Sequence, residues 1–509
     1  MPDTLPTPTP PGIAAARPAH PALFQMNARL RLREIAAELG RPATLDDIPD
    51  AELDRLAAQG FDWLYALGVW STGEASRQVS RTRPDWRAGF AALLPDLEDR
   101  DICGSSFAIT AYAAHPALGG DAALRRLRER LRARGLRLML DFVPNHVALD
   151  HPWLQQRPEL FLHGDAARLE REPQNWVRMA TGRGPAVLAH GRDPYFPGWP
   201  DTLQLDYANP ATQAAMRAEL GAAAALCDGL RCDMAMLVLP EVFERSWGRA
   251  AEPFWPGAIG QIRQDRPDFI FMAEVYWGLE WTLLQQGFDY AYDKTLYDRV
   301  VHRNARGIRD HLRAGPDDQR HLVRFLENHD EPRAAATLPW EAHPAAALVT
   351  YCTPGLRFFH QGQFEGRRRH ASIHLDRAPA EPCDAAIAGF YDRLLGLLRD
   401  PVLRGGAWQL LEPAEAWPGN WTHDGFVAFA WEGAGEARLV GVASFLPHQA
   451  QCLLRLPFAG LAGHDHELTD LLGPARYRRA GDELAGRGLY LDLPAFGAHL
   501  FCIARGAGC

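Results

Sequence analysis

None of the eight cysteines (Cys103, Cys227, Cys232, Cys352, Cys383, Cys452, Cys502 and Cys509) belongs to a CxxC pair, and several sit inside apolar runs. That pattern reads as buried free thiols. The chain also lacks any uninterrupted apolar run long enough to span a bilayer. Positive charge is not in excess, since 54 Lys and Arg stand against 63 Asp and Glu, a net charge of -9. Such a balance offers no electrostatic hold on nucleic acid or an anionic membrane, so neither is expected as a partner. The first residues have no basic start and no apolar core of a signal peptide. Their Pro/Ala-rich composition predicts a disordered tail over residues 1–21 and a cytoplasmic protein. No internal repeat of solenoid length is present.

What is there is the composition of a soluble globular protein, with 47% hydrophobic and 23% charged residues. At 509 residues the chain exceeds one ordinary core, so two or three domains are expected. Dense apolar runs alternate with amphipathic stretches about eight times from Ala22 onward, among them Phe61 to Trp70, Leu136 to Val143, Leu230 to Asp233, Phe269 to Glu274 and Leu356 to His360. This predicts an α/β protein, a (β/α)8 TIM barrel whose function sits on the loops after its strands. Residues 22–146 and 208–400 would form the barrel. Residues 147–207, rich in Pro and Trp and without a clear period, are too long for a connection and predict a small domain inserted after strand 3. Beyond Pro401 short alternating runs predict an all-β sandwich over residues 401–509.

The chemistry concentrates at strand ends. Gly229-Leu230-Arg231-Cys232-Asp233 reads as an apolar strand with an arginine and an aspartate two positions apart at its end. Side chains at i and i+2 of a strand face the same way. Arg231 therefore sits beside Asp233 and keeps it ionised, as a carboxylate nucleophile requires. Polar clusters close three other strands: Asp141 to His146, Glu274, and His329-Asp330. Singly, each fits a structural histidine, a helix cap or a turn. Four independent turns would not all fall at one end of one barrel. The set suits glycoside hydrolysis with retention, which needs one ionised carboxylate and one protonated carboxyl. Glu274 follows an apolar strand, so burial should raise its pKa toward the working pH. Asp330 offers a second anion for an oxocarbenium-like transition state. His146 and His329 can donate to sugar hydroxyls while neutral. Phe107, Tyr112, Trp153 and Trp277 are the aromatic candidates for stacking on a sugar ring.

These segments resemble the signature regions of the α-amylase family of glycoside hydrolases, family thirteen, in the family's order. Asp141-Phe142-Val143-Pro144-Asn145-His146 is similar to the first region and Gly229 to Asp233 to the second. Phe271-Met272-Ala273-Glu274 is similar to the third and Phe325-Leu326-Glu327-Asn328-His329-Asp330 to the fourth. Gln204-Leu205-Asp206-Tyr207 resembles the fifth, and Gly104 to Tyr112 the loop of an aromatic platform, with Phe107 where tyrosine often stands. The resemblance covers about Ala22 to Asp400 and implies α-linked glucosyl substrates. It implies Asp233 as nucleophile, Glu274 as general acid/base and Asp330 as transition-state stabiliser. His146, Arg231 and His329 would line the sugar subsite before the scissile bond, with Phe107 and Asp141 as further substrate-binding residues. Met236-Leu237 stand where many amylases have a Lys-His pair serving the next subsite and a calcium site. Asn145 is then the one weak calcium-ligand candidate, and no cofactor is expected to be required. The expected activity is hydrolysis of α-glucosidic bonds in small or medium oligosaccharides through a covalent glycosyl-enzyme on Asp233. An α-glucosyl transferase, isomerase or phosphorylase on the same scaffold is the alternative. A catalytically dead binding barrel would have lost an acid, and all three acids are present.

Overall fold

Eight short strands, almost wholly buried, close into a barrel. They are β1 (Ala22–Asn27), β2 (Trp63–Leu67), β3 (Arg137–Phe142), β4 (Gly229–Cys232), β5 (Ile270–Ala273), β6 (Tyr290–Tyr292), β7 (Leu322–Arg324) and β8 (Leu356–His360). Each strand pairs in parallel with its neighbours in chain order, and β8 closes on β1. This computed structural model describes residues 18–435 and 437–506. Both strand faces are covered, which is why runs such as Trp63–Leu67 and Ile270–Ala273 are continuously apolar rather than alternating. No helix of the described residues is long and apolar enough to cross a membrane.

Local chemistry sets where the strands stop. The first ends at Asn27, because the Asn27 side chain accepts the N–H groups of Arg29 and Leu30 and starts the helix Ala28–Leu39. The second ends before Gly68, whose φ of 79° suits glycine. Two features between β2 and β3 have no counterpart in the sequence reading: a ribbon of Trp70–Thr72 with Ile109–Ala114, and the helices Glu74–Thr82 and Pro84–Leu93. Those helices bury only Ser76, Ser80 and Phe90, so there is no apolar period to read.

The segment after β3 is more regular than its composition implies. His146–Ala148 pairs antiparallel with Thr202–Gln204 at its base, and Trp176–Thr181 forms a hairpin with Gly184–Ala189. The C-terminal part is a sandwich of a six-stranded and a three-stranded antiparallel sheet. The larger sheet is covered on both faces. Val440, Val442 and Phe501 pack with Cys452 and Leu491 of the smaller sheet, while Phe429, Trp431 and Leu500 join the barrel core. Ala407–Leu411 forms one edge of that sheet, while Asp465–Asp470 and Arg476–Ala480, next to and at the other edge, are too polar for their runs to be recognised. Of the expected tail, residues 1–17 lie outside the described residues. His20 does not belong to it: its ring is buried, packs on Trp431 and accepts the N–H of Gly355.

Candidate active site

Arg231 is the hub. Its side chain is fully buried inside the barrel, between the rings of Phe107 and Tyr292 at 5.3 and 5.7 Å. In register, Arg231 of β4 stands beside Asp141 of β3. One terminal nitrogen of the guanidinium lies 2.7 Å from Asp233 and 3.5 Å from Asp141. The other lies 2.8 Å from Glu274 and 3.8 Å from Asp330. Withdrawing the cation this far from water needs facing negative charge to offset it; burial by itself lowers its pKa, but the acidic groups around it, Glu274, Tyr65, Tyr292 and Asp233, hold it well above the arginine range.

Glu274 is the first residue after β5, and its environment matches the expected one. Burial pushes its carboxyl up to about 8; Arg231 opposes the shift, and the charges of Asp233 and Asp330 add to it. Its Oε2 accepts the N–H of Met234 at 2.7 Å, and the Tyr276 hydroxyl donates to Oε1 at 2.8 Å. The Met234 contact depends on an uncommon backbone. Met234 has a φ of 41°, and the left-handed residue turns its amide toward Glu274 immediately after Asp233. A non-glycine residue in that region carries about 1–2 kcal/mol of strain.

The remaining residues gather on the same rim. Asn328 Oδ1 accepts the N–H groups of Asp330 and Glu331, both at 2.8 Å, a turn that presents Asp330 with 40% of its side chain exposed. Gln25 Nε2 donates to His329 Nδ1 at 2.8 Å, which leaves Nε2 as the protonated nitrogen, 3.2 Å from Asp330. Burial and Arg231 hold His329 well below the usual histidine range. His146 is lowered to about 4, chiefly by burial. Both imidazoles are therefore neutral at pH 7.

A cavity of about 290 Å3 opens here, at the small end of ligand pockets. Asp233, Glu274, Asp330, His146 and Phe107 line it. It continues past Asp330, Trp86 and Ile373 into a wider cleft of about 820 Å3, which His329 also lines. Asp141 does not meet the expectation of a sugar-facing group. It is buried beneath Arg231, takes a hydrogen bond from the Tyr65 hydroxyl, and is raised to about 7 by burial. Arg231 likewise lies below the cavity floor and acts on it through the carboxylates. Of the aromatic candidates, Tyr112 is bonded to the backbone of Val143, Trp153 packs on His151, and Trp277 stacks edge-on with Tyr195. The aromatic walls are the candidate Phe107 together with Trp199 and Trp86.

Sequence reasoning missed Trp86, Trp199 and Asp201, which come from the two excursions that had no period to follow. Asp201 lines the cavity, is buried, and has an Oδ2 without a hydrogen-bond partner; burial raises its pKa to about 7. The residues at the insertion junction do not fit a calcium ion. The Gln204 amide nitrogen stands among Asn145 O, Asn145 Oδ1 and Leu205 O at 2.9 to 3.0 Å. An N–H donor thus fills the point where these oxygens converge, whereas calcium needs six to eight oxygens around it. Among the described residues no group of three or more His, Cys, Asp or Glu could hold a metal.

Comparison with known proteins agrees with this geometry. Residues 106–245 match the model of the α-amylase catalytic domain. The α-1,4-glucan:maltose-1-phosphate maltosyltransferase of Burkholderia pseudomallei is 28% identical over 274 residues, 51% of this chain and 20% of that protein. The α-amylase MalA of Haloarcula japonica is 25% identical over 334 residues, 64% of this chain and 45% of that protein. The chain thus spans less than half the length of these two relatives. Two solved α-amylases share the fold at a TM-score of 0.67. AmyB from Thermotoga neapolitana is 17% identical, over 95% of this chain and 98% of its own. The Lactobacillus plantarum enzyme is 20% identical, over 95% and 99%. The barrel and the converging acids thus accompany a match to the α-amylase catalytic-domain model over residues 106–245, and the chain is similar to the α-amylase family.

Proposed function

We propose that the protein is a retaining α-glycoside hydrolase that cleaves α-glucosidic bonds of small or medium oligosaccharides. One observation carries the reading: a single buried guanidinium grips Asp233 through one nitrogen and Glu274 through the other, while burial keeps Glu274 protonated. Asp233 attacks the anomeric carbon, and Glu274 passes its proton to the departing glycosidic oxygen, leaving a glycosyl ester on Asp233. Glu274, now a carboxylate, takes a proton from water, which attacks the ester and restores Asp233. Retention calls for carboxyl groups about 5–5.5 Å apart, a separation that one guanidinium bridging both accommodates. Asp330, 3.8 Å from Arg231, supplies negative charge for the oxocarbenium-like transition state. Neutral His146 and His329 donate to ring hydroxyls, and Phe107 offers a stacking face.

Transfer to a sugar acceptor is the second reading. Trp86, Phe90 and Ile373 line the cleft beyond Asp330 and give it an apolar wall on which an acceptor could seat and from which water would be displaced. Maltosyltransferases also stand among the matched relatives. The test is incubation with maltose, trehalose, sucrose, maltooligosaccharides and glycogen, with and without phosphate, following products and the first-formed anomer by NMR. An α-anomer released first is expected. A β-anomer would overturn retention, and new glycosides in place of free sugar would favour transfer.

A further inference from the structure

Behind the loop that carries Phe107 lies a second cavity, of about 270 Å3, which shares no lining residue with the catalytic one. The loop is the wall between them. Cys103 faces the second cavity, while Ser105 and Phe107 face the first. Gly104, with a φ of 82°, allows the close approach: a Cβ there would sit 3.0 Å from the Cα of Arg77.

The second cavity is cationic. Arg29, Arg33 and Arg77 line it, with Asp376 as the one carboxylate among its lining residues. Arg33 is shared with Asp101 at 3.3 Å, and Arg77 pairs with Glu74. Arg29 is more than nine-tenths buried, yet meets no carboxylate among the described residues. Its N–H groups go to neutral acceptors: Gly68 O at 3.1 Å, Gly104 O at 3.0 Å, Thr72 Oγ1 at 3.0 Å and Cys103 Sγ at 3.3 Å. On the same residues, Arg77 Nε and Asp376 Oδ1 are buried without hydrogen-bond partners. His115 Nδ1 accepts the N–H of Ala117, which leaves Nε2 as a donor. A buried cation held only by neutral groups, beside unused donors and a cavity, is the arrangement that receives an anion.

We propose that this cavity is a binding site for a phosphate group, either orthophosphate or the phosphomonoester of a small sugar. Guanidinium groups suit phosphate because their planar N–H pairs match two of its oxygens at once. A dianion would also compensate Arg29, which forms no direct ion pair among the described residues and otherwise has only the more distant charge of Asp376 facing it. The site is separate from the catalytic chemistry, and its occupant would press on the wall behind Phe107.

The test is calorimetric titration of the full chain with inorganic phosphate and, separately, with glucose 6-phosphate, at constant ionic strength set by chloride. Binding with a dissociation constant of about 1 mM or tighter is expected. The tighter of the two ligands identifies whether free phosphate or a sugar phosphate is the occupant. Arg77→Gln should weaken binding at least about tenfold, the loss of one charge-assisted hydrogen bond. Asp376→Asn, which removes the lining carboxylate but no cation, should tighten it several-fold. Absence of binding to both ligands, or unchanged affinity in Arg77→Gln with its Tm preserved, overturns the proposal. So does an Asp376→Asn variant that folds normally and binds no more tightly.

Discussion

The Glu274 carboxyl links the pH dependence of the reaction to that of stability, and the two run in different windows. Burial holds the group protonated up to about pH 8, against an ordinary value of 4.5. About nine-tenths of the acid is then present at pH 7 and about one-tenth at pH 9, so kcat/KM on maltose should fall roughly tenfold between those values. The stability effect has the opposite reach. The folded chain binds a proton here that the unfolded chain has released, so stability is greatest below pH 4.5 for this group and declines as pH rises to 8. The full difference is of order a few kcal/mol, and it is reinforced by Asp141, which burial raises to about 7. Glu274→Gln should flatten the stability slope across that window and lower kcat on maltose by about 10²–10⁴. An aryl α-glucoside with an acidic phenol needs no proton on departure. On that substrate the alkaline limb of the first chemical step should vanish, and Glu274→Gln should form the glycosyl-enzyme at nearly the wild-type rate. The measurements are pH profiles on both substrates, burst kinetics for the variant, and urea unfolding from pH 5 to 8. An alkaline limb below about pH 6, or equal impairment of the variant on both substrates in glycosyl-enzyme formation, would refute the assignment.

Asp233→Asn should abolish turnover while leaving Tm within a few degrees of wild type; retained turnover in a steady-state assay would remove the nucleophile assignment. Arg231→Lys keeps a charge but cannot hold Asp233 with one nitrogen while another stands against Glu274, and the loss of that second charge contact predicts a fall in kcat of roughly 10². A loss of less than about threefold would show that the bridge is not needed. Asp201→Leu should raise KM for maltose by about tenfold with a smaller change in kcat, since its Oδ2 is an unpartnered group on the cavity wall. An unchanged KM would mean that no substrate hydroxyl reaches it. Treatment with EDTA should leave both Tm and activity unchanged, because Gln204 already satisfies the oxygens of Asn145. A clear drop in Tm restored by calcium would contradict that.

The groups visible in the sequence share a physical cause. Asp233 and Glu274 each follow directly on a short strand of buried residues; Ile270–Ala273 is an unbroken apolar run, and Gly229–Cys232 is broken only at Arg231. The i, i+2 relation between Arg231 and Asp233 is a property of any strand, and the 2.7 Å contact follows from it. The sandwich was legible for its inner strands, where Phe426–Glu432 and Arg438–Ser444 are buried almost throughout, and illegible for polar edge strands such as Arg476–Ala480.

What depended on tertiary structure is every relation between segments. Arg231 could be paired with Asp233 from the chain alone, but its grip on Glu274 and its cover over Asp141 exist because β3, β4 and β5 lie side by side in register. Asp141, a sugar-binding candidate in one dimension, becomes a support beneath the floor in three. Trp86, Trp199 and Asp201 reach the cavity from excursions with no periodicity, positioned by turns and backbone hydrogen bonds. A linear pattern records which face of an element is buried. It does not record which distant element buries it, and the cavity wall is made from that second kind of information.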